Sequence, residues 1–538
     1  MKKNIITILC VYLVLQGLYS CNKKFLDEKL YSYYAPETLT DSLGFEAAAI
    51  GLYYQMGLFY SKSDAQGWPS VWNAGTDIAY VPPTQKQGIE VPYYDYTQLI
   101  STDGAASFTW SWAYQMINNA NNIIVNAENP AITSLSQAGK NSIDGEARFF
   151  RAYAYNTLAT LFGKVPLVTE PLSKPKTDFA RASLDSVNGQ IVADLTFAAT
   201  YLPTIDNVKS NSKGKLYGRA NKAMAQQLLA EVYLRMGKND LAEAQCQAVI
   251  SSGKFNLITS RYGVKTSLPG DPFSDMFVYG NQRYGQGNKE AIWVLELENV
   301  STVVGGYSGA PQQRRNWGAA YYQITNMTIC DSLGGRGIGR MRLTDWVVYG
   351  LYGANDMRNS ENNIRHKFYY NTVGQANYGQ LVPYTGADTV FKTAPHTTKW
   401  YQYDPNDVFG FAMVKDFILM RLGETYLLMA EAQFKQSKLT EAAASLNVIR
   451  ARANATPITA GQVTMDFILD ERVRELLAEE NRRMTLMRTG TLVTRTQKYN
   501  TQTINPVLGL TSKHLLLPVP QSERDLNKDA VLEQNTGY

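Results

Sequence analysis

Aromatic side chains set among polar and glycine-rich residues are the groups whose type and spacing point to binding chemistry. The sequence contains 35 Tyr and 8 Trp among 538 residues, and many lie in segments where no packed helix requires them. Flat aromatic faces beside hydrogen-bonding side chains usually mark contact with a ligand or partner. Two sets are predicted to bind ligand, the first comprising Arg314, Asn316, Trp317, Tyr321 and Tyr322, and the second Trp68, Trp72 and Asp77.

The residue types that catalysis needs are sparse and badly spaced. The only histidines are His366, His396 and His514, so no H-E-x-x-H zinc pattern can form. The sequence lacks a G-x-S-x-G nucleophile elbow, and the glycines of residues 334–339 do not have phosphate-loop spacing. No D-x-[DN]-x-[DN]-G calcium run occurs either. We therefore expect a protein that is not an enzyme and that needs no cofactor.

The start of the chain has the parts of a bacterial lipoprotein signal. Lys2 and Lys3 precede an apolar run over residues 5–18, and Ser20 precedes Cys21. About 14 apolar residues reach roughly 21 Å as a helix, which is too short for a hydrocarbon core of about 30 Å. Residues 1–20 are therefore predicted to be a signal peptide, and Cys21 is predicted to carry the lipid that anchors a soluble fold.

Charge and cysteine content restrict the partners. The formal net charge is +5 and becomes +3 without Lys2 and Lys3, with basic and acidic residues interspersed. This pattern gives no reason to expect a nucleic-acid partner. After processing, only Cys246 and Cys330 remain beside Cys21, which is too few for a disulfide scaffold.

Helical periodicity comes in pairs, which predicts the scaffold that positions the aromatic loops. Apolar spacing indicates helices over 108–128 and 143–161, 223–236 and 241–250, and 417–435 and 439–452, with a further helix over 465–488. Leu229, Tyr233, Gly237 and Ala244 approximate a tetratricopeptide pattern. Such pairs bury their apolar faces by stacking. The predicted fold is mainly α, a tetratricopeptide-like scaffold of helical pairs.

Two segments differ from this scaffold in composition. Residues 57–107 form an aromatic, glycine- and proline-rich loop, and residues 256–415 include a buried strand over 291–297. A structureless loop as long as the second segment is implausible, so we interpret it as an inserted mixed, loop-rich subdomain. The predicted organisation is a signal peptide over 1–20, helical regions over 21–255 and 416–538, and the subdomain over 256–415 between them.

Short motifs spread over nearly the whole mature chain carry a resemblance. They are Cys21-Asn22 with Phe25-Leu26-Asp27, Tyr114–Ile124, Glu146–Tyr153, Phe162–Leu167, Asp356-Met357-Arg358, Arg421–Ala432, Asn447–Ala453, Ile468–Arg472, Leu517–Pro520 and Leu532–Tyr538. Together they resemble motifs of the SusD/RagB family of outer-membrane nutrient-binding lipoproteins. The chain departs from the family pattern at Asn481, where Gly is usual, at Leu486, where Asp is common, and at Thr536, where Pro is usual.

The resemblance implies a lipid-anchored protein at the cell surface of the outer membrane. Such a protein lies over a SusC-like TonB-dependent barrel and receives a nutrient, typically a glycan, although peptide-binding members exist and calcium occurs in some glycan sites. A surface adhesin remains a further alternative. Because a sugar ring offers an apolar face and a rim of hydroxyls, the two aromatic sets are the expected ligand contacts. The matching Arg421, Glu424, Arg450 and Arg452 are expected to be structural.

Overall fold

The architecture comes from a computed structural model. It describes residues 39–61, 70–83, 88–172, 174–209, 218–299, 311–384 and 389–538, together with positions 303 and 309. The predicted signal peptide over 1–20 and the predicted lipid site Cys21 lie outside the described residues. Of the helices within these ranges, none combines the length and apolar character of a membrane span.

Among the described residues, six helices form the N-terminal part of the scaffold, and each packs against its neighbours in sequence. Local capping fixes their starts: Asp103 and Ser136 each accept a hydrogen bond from a backbone N–H three residues on. Gly163, at φ 73°, ends the third helix. The helices are α1 (Ser42–Ser61), α2 (Gly104–Glu128), α3 (Gln137–Phe162), α4 (Leu184–Tyr201), α5 (Lys222–Arg235) and α6 (Asn239–Ser251).

The segment after α6 is mixed and loop-rich. Where the structure describes it, its helices and strands are short: α7 (Pro272–Asp275), β2 (Ala291–Leu295), α8 (Gln313–Trp317), β3 (Arg342–Leu343), β4 (Ile364–Arg365) and β5 (His396–Thr397). β3 pairs antiparallel with β1 (Ala79–Tyr80), so the aromatic loop of the N-terminal region is joined to this segment. β4 and β5 pair with each other.

The chain returns to the helical scaffold through a strand. β6 (Phe417–Arg421) pairs antiparallel with β2, and α9 then packs against α6, so the array continues across the insertion. The C-terminal helices are α9 (Leu422–Lys435), α10 (Leu439–Arg452), α11 (Met465–Leu476), α12 (Arg482–Arg488), α13 (Leu492–Tyr499) and α14 (Gln521–Leu526). The predicted mainly α fold with stacked helical pairs is confirmed.

Two helix predictions are wrong in part. Residues 417–421 form a strand because their apolar side chains pair with β2, and a short apolar run does not separate strand from helix by periodicity. The predicted helix over 465–488 is two helices, broken where Ala478 adopts φ 62°. Asn481 then caps α12 by accepting a hydrogen bond from the backbone N–H of Met484. Helices α1 and α4 were not predicted.

Buried ion pairs join the C-terminal helices to the inserted segment. Arg421 at the start of α9 lies 2.7 Å from Glu290, beside β2, and 2.5 Å from Glu475 in α11. Arg452 of α10 contacts the same two glutamates. Arg358 of the inserted segment lies 3.0 Å from Glu475. The structural role expected for Arg421 and Arg452 is confirmed, because each is buried and forms ion pairs with Glu290 and Glu475.

Glu431 forms a second group of buried ion pairs, and the contribution of these pairs to stability can be tested through their pH dependence. Its carboxylate lies 2.7 Å from Arg488 of α12 and 2.7 Å from Lys435. Burial opposes its ionisation, but the two cations lower the pKa of Glu431 from 4.5 to about 2. A carboxyl group whose pKa is lower in the folded than in the unfolded state contributes its full stabilisation above pH 4.5. This contribution is lost as the pH falls towards 2.

We therefore expect Glu431→Gln to lower the thermal midpoint at pH 7, and we expect the difference from wild type to shrink as the pH falls below 4.5. Thermal melts at a series of pH values measure this. Glu441→Gln on the exposed face of α10 is the matched control and should change little at any pH. A Glu431→Gln deficit that stays constant down to pH 3 would contradict the expected linkage.

Candidate ligand-binding surface

The first predicted set is brought together around the short helix α8, but most of it is buried. Trp317 is only 2% exposed and shares an apolar cluster with Leu297, Met341 and Trp400. Its ring offers no face to solvent, because α8 is enclosed by the surrounding chain. The expectation that Trp317 is an exposed platform is therefore corrected: the side chain belongs to the core.

Arg314 and Tyr321 support the neighbouring loops. Arg314 is buried and donates hydrogen bonds to the carbonyl oxygens of Gln402 and Gly410 at 3.0 and 2.8 Å. Tyr321 is buried and donates through its hydroxyl to the carbonyl of Gly335 at 2.9 Å. The two residues fix loop backbones in place and do not face solvent, contrary to the sequence expectation.

Asn316 is fully buried, and neither atom of its side-chain amide has a hydrogen-bond partner among the described residues. A buried polar group without a partner costs about 1–3 kcal/mol. Its burial excludes direct contact with a ligand in this conformation.

The described residues of the second predicted set are also buried. Trp68 lies outside the described residues. Trp72 is 2% exposed and stacks on Phe59 with ring centroids 5.9 Å apart. Asp77 is fully buried and lies 2.6 Å from Arg482 and 2.8 Å from Arg495. Burial opposes its charge, yet these two arginines lower the pKa of Asp77 below its ordinary value. Asp77 thus ties the aromatic loop to α12 and α13.

An exposed group of aromatic rings lies beside the buried set. Tyr322 is half-buried, while Phe409 and Phe411 are 65% and 61% exposed. The guanidinium carbon of Arg336 lies 6.0, 5.8 and 5.5 Å from the ring centroids of Tyr322, Phe409 and Phe411. We call Tyr322, Phe409 and Phe411 the aromatic platform. Of the predicted residues, only Tyr322 belongs to it.

The buried residues position this platform. Arg314 donates to the carbonyls of Gly410 and Ala412, the residues on either side of Phe411. Arg315 lies beneath Phe411, with its guanidinium carbon 4.5 Å from the ring centroid. Arg336 donates to the Phe409 carbonyl and, at 3.4 Å, to the Tyr322 hydroxyl. The sequence-predicted segment is therefore the support of the platform.

Sequence reasoning missed Phe409 and Phe411. Their signal is the run Phe409-Gly410-Phe411 following Asp404-Pro405-Asn406-Asp407, which is a turn-forming sequence with two aromatic residues and no helical periodicity. The folded chain exposes the phenylalanines and buries the tryptophan.

The platform is chemically suited to binding. Exposed rings can stack on an apolar ligand face, and an arginine between them supplies planar hydrogen-bond donors. Within the described part of the chain, no three His, Cys, Asp or Glu side chains are grouped to hold a metal ion.

Comparisons with known proteins agree with this architecture. A family model described as the SusD family matches residues 289–538. A second model, described as starch-binding and associating with the outer membrane, matches residues 24–234. The two models together cover the chain except residues 1–23 and 235–288.

Curated relatives and solved structures extend the match over the whole length. "SusD-like protein P25" of Formosa agariphila is 25% identical, with 99% of each chain covered. "Starch-binding protein SusD" of Bacteroides thetaiotaomicron is 25% identical, covering 73% of this chain and 72% of that protein. The structure of surface glycan-binding protein A from Bacteroides thetaiotaomicron in complex with laminarihexaose superposes with a TM-score of 0.70 at 19% identity, covering 92% of this chain and all of the other. From the motifs, the fold and these matches, the chain belongs to the SusD/RagB family.

Proposed function

We propose that this protein binds a glycan at the cell surface and does so at the aromatic platform. The observation that carries the proposal is the exposure of Phe409 and Phe411 around Arg336, which gives stacking faces beside hydrogen-bond donors. Relatives described as laminarin-binding and starch-binding support a glycan as the ligand. The role is binding and delivery without catalysis.

Delivery to a SusC-like TonB-dependent transporter is the second part of the proposal. It rests on membership of the family and on the matched model described as associating with the outer membrane. The inserted segment carries the platform. The expected location is the outer membrane, facing outwards.

The lipid anchor is proposed at Cys21. We expect Cys21→Ala to release the protein from membranes, because one acyl chain contributes about 0.8 kcal/mol per buried methylene and the variant carries none. Fractionation of cells that express either form measures this. Continued sedimentation of Cys21→Ala with the outer membrane, in the presence of high salt, would contradict the anchor.

The test of binding is retention of the soluble chain lacking residues 1–21 in native gels cast with a panel of polysaccharides, alongside calorimetry with oligopeptide mixtures. Retardation by at least one polysaccharide is the expected result. Heat released by peptides without any retardation would replace the glycan by a peptide ligand. No response in either assay would overturn nutrient binding and leave a role as a surface adhesin.

A further inference from the structure

Within the described part of the chain, Arg314, Arg315 and Arg336 around the platform make no ion pair, whereas many buried arginines elsewhere in the fold do. Among the described residues, the only ion pair made by Arg314, Arg315, Arg336 and Arg340 joins Arg340 to Glu90, at 3.5 Å. Asp404 and Asp407 offset part of the charge on Arg314, but neither comes within the 4 Å of an ion pair. The platform therefore lies over a local excess of positive charge.

Three buried arginines elsewhere in the fold are paired with carboxylates, in contrast to those around the platform. Arg358, Arg421 and Arg472 each lie within 2.8 Å of a carboxylate oxygen. Their pKa values are raised, since the neighbouring carboxylates outweigh the cost of burial. The pKa of Arg315, near the platform, is shifted in the opposite direction. Burial, followed by the charges of Arg336 and Arg340, lowers it to about 10.

Some guanidinium N–H groups near the platform also have no hydrogen-bond acceptor among the described residues. Arg315 makes one hydrogen bond, to the side chain of Gln312 at 2.8 Å, and its Nε has no partner within the described chain. Among the described residues, Arg483 also makes no ion pair, but it donates to three backbone carbonyls and to the Tyr96 hydroxyl, so its donors are used inside the core. Arg336 is half-buried, and within the part of the chain that the structure describes it donates through Nε and Nη1 to the Tyr322 hydroxyl and the Phe409 carbonyl, which leaves Nη2 for an external acceptor. Arg315 is buried beneath Phe411 and contributes positive charge.

We propose that the glycan bound at this platform is acidic, and that Arg336, supported by Arg315, recognises its carboxylate or sulfate groups. This inference rests on the glycan-binding function proposed above and narrows its substrate class. A sugar ring can stack on Phe409 or Phe411 while an anionic substituent reaches the guanidinium group between the rings. Charge-assisted hydrogen bonds from arginine to planar or tetrahedral anions are stronger than neutral ones, and they favour arginine over lysine.

The experiment compares matched polymers that differ only in charge. Polygalacturonate is paired with its methyl ester, and dextran sulfate is paired with dextran, and laminarin is the neutral reference. Affinity electrophoresis and calorimetry at about 50 and 300 mM NaCl measure binding to the full mature chain without its lipid, because salt screens general attraction between charges. We expect an acidic polymer to bind at least about tenfold more tightly than its neutral counterpart. Preference for polygalacturonate assigns the site to carboxylates, and preference for dextran sulfate assigns it to sulfate esters.

Three variants separate recognition by Arg336 from general attraction between charges. Arg336→Gln should weaken acidic binding about tenfold or more, with little change in the thermal midpoint, because Arg336 is half-buried and makes no ion pair among the described residues. Arg524→Gln on α14 removes the same charge from a half-buried arginine that likewise donates to a backbone carbonyl, and it should bind as wild type does. Arg336→Lys should recover only part of the loss, since lysine lacks the planar fork.

The outcomes distinguish this inference from the function on which it rests. Binding to laminarin or dextran alone would overturn the acidic ligand and leave glycan binding intact. Absence of binding to every polymer would overturn both. Equal weakening by Arg336→Gln and Arg524→Gln would mean that net charge alone attracts the polymer, which also overturns recognition by Arg336.

Discussion

Phe409→Ala combined with Phe411→Ala is expected to weaken retention by the polysaccharide that retards the wild-type chain most strongly. Each ring contributes about 0.5–1.5 kcal/mol beyond simple area burial when it stacks, so losing both should weaken binding about 5- to 150-fold. The thermal midpoint should change little, because both side chains are more than 60% exposed and surface substitutions are usually within about 0.5 kcal/mol. Affinity electrophoresis and a thermal melt on the same samples measure the two effects.

Two control variants separate a loss of binding from a loss of stability. Tyr201→Ala removes a 45% exposed aromatic ring from α4, away from the platform, and should leave retention unchanged. Trp317→Ala should instead lower the free energy of unfolding by about 3–5 kcal/mol, as a core substitution does. If the double phenylalanine variant binds as wild type does while Tyr201→Ala fails to bind, the ligand surface lies on the helical scaffold and the platform assignment is wrong.

Glu475→Gln is expected to destabilise the fold strongly, although the substitution barely changes the size of the side chain. The Glu475 carboxylate is shared by Arg358, Arg421 and Arg452, and these arginines come from the inserted segment, the start of α9 and α10. Burial opposes its ionisation, yet the three arginines hold the pKa of Glu475 well below its ordinary value. Removing one partner of a buried ion pair costs about 3–5 kcal/mol, because the remaining charges stay buried without compensation. Chemical denaturation should show the loss as a lower midpoint.

The control for this network is Glu441→Gln, which removes a carboxylate from the exposed surface of α10 and should change the free energy of unfolding by less than about 0.5 kcal/mol. Acid should act in the same direction as Glu475→Gln, because a depressed carboxyl pKa makes the wild-type fold lose stability as the pH falls below 4.5. A Glu475→Gln chain as stable as wild type at pH 7 would contradict a stabilising role for the network.

Helices with strong periodicity and clear end signals could be predicted from the sequence. The helix predicted over 223–236 is observed as Lys222–Arg235, and the one over 439–452 has the same ends as observed. The prediction failed at residues 417–421, where pairing with β2 determines the structure. It failed again at Ala478, where a positive φ interrupts a periodic segment. At residues 417–421 the deciding contact comes from residues distant in sequence, and local periodicity carries no information about it.

The ligand surface was likewise predictable from the sequence only in part. The sequence by itself determined the family, the helical-pair scaffold and the region of the chain that surrounds the platform, because motif spacing and periodicity are local properties. Only the tertiary structure decided which aromatic rings face solvent: α8 is enclosed, so Trp317 and Tyr321 became core, while Phe409 and Phe411 of a distant loop are held outwards by Arg314. Exposure depends on which distant segments cover a residue, and residue type does not specify that. That Arg315 and Arg336 make no ion pair within the described part of the chain also emerges only in three dimensions, because pairing is set by the carboxylates that the fold brings near.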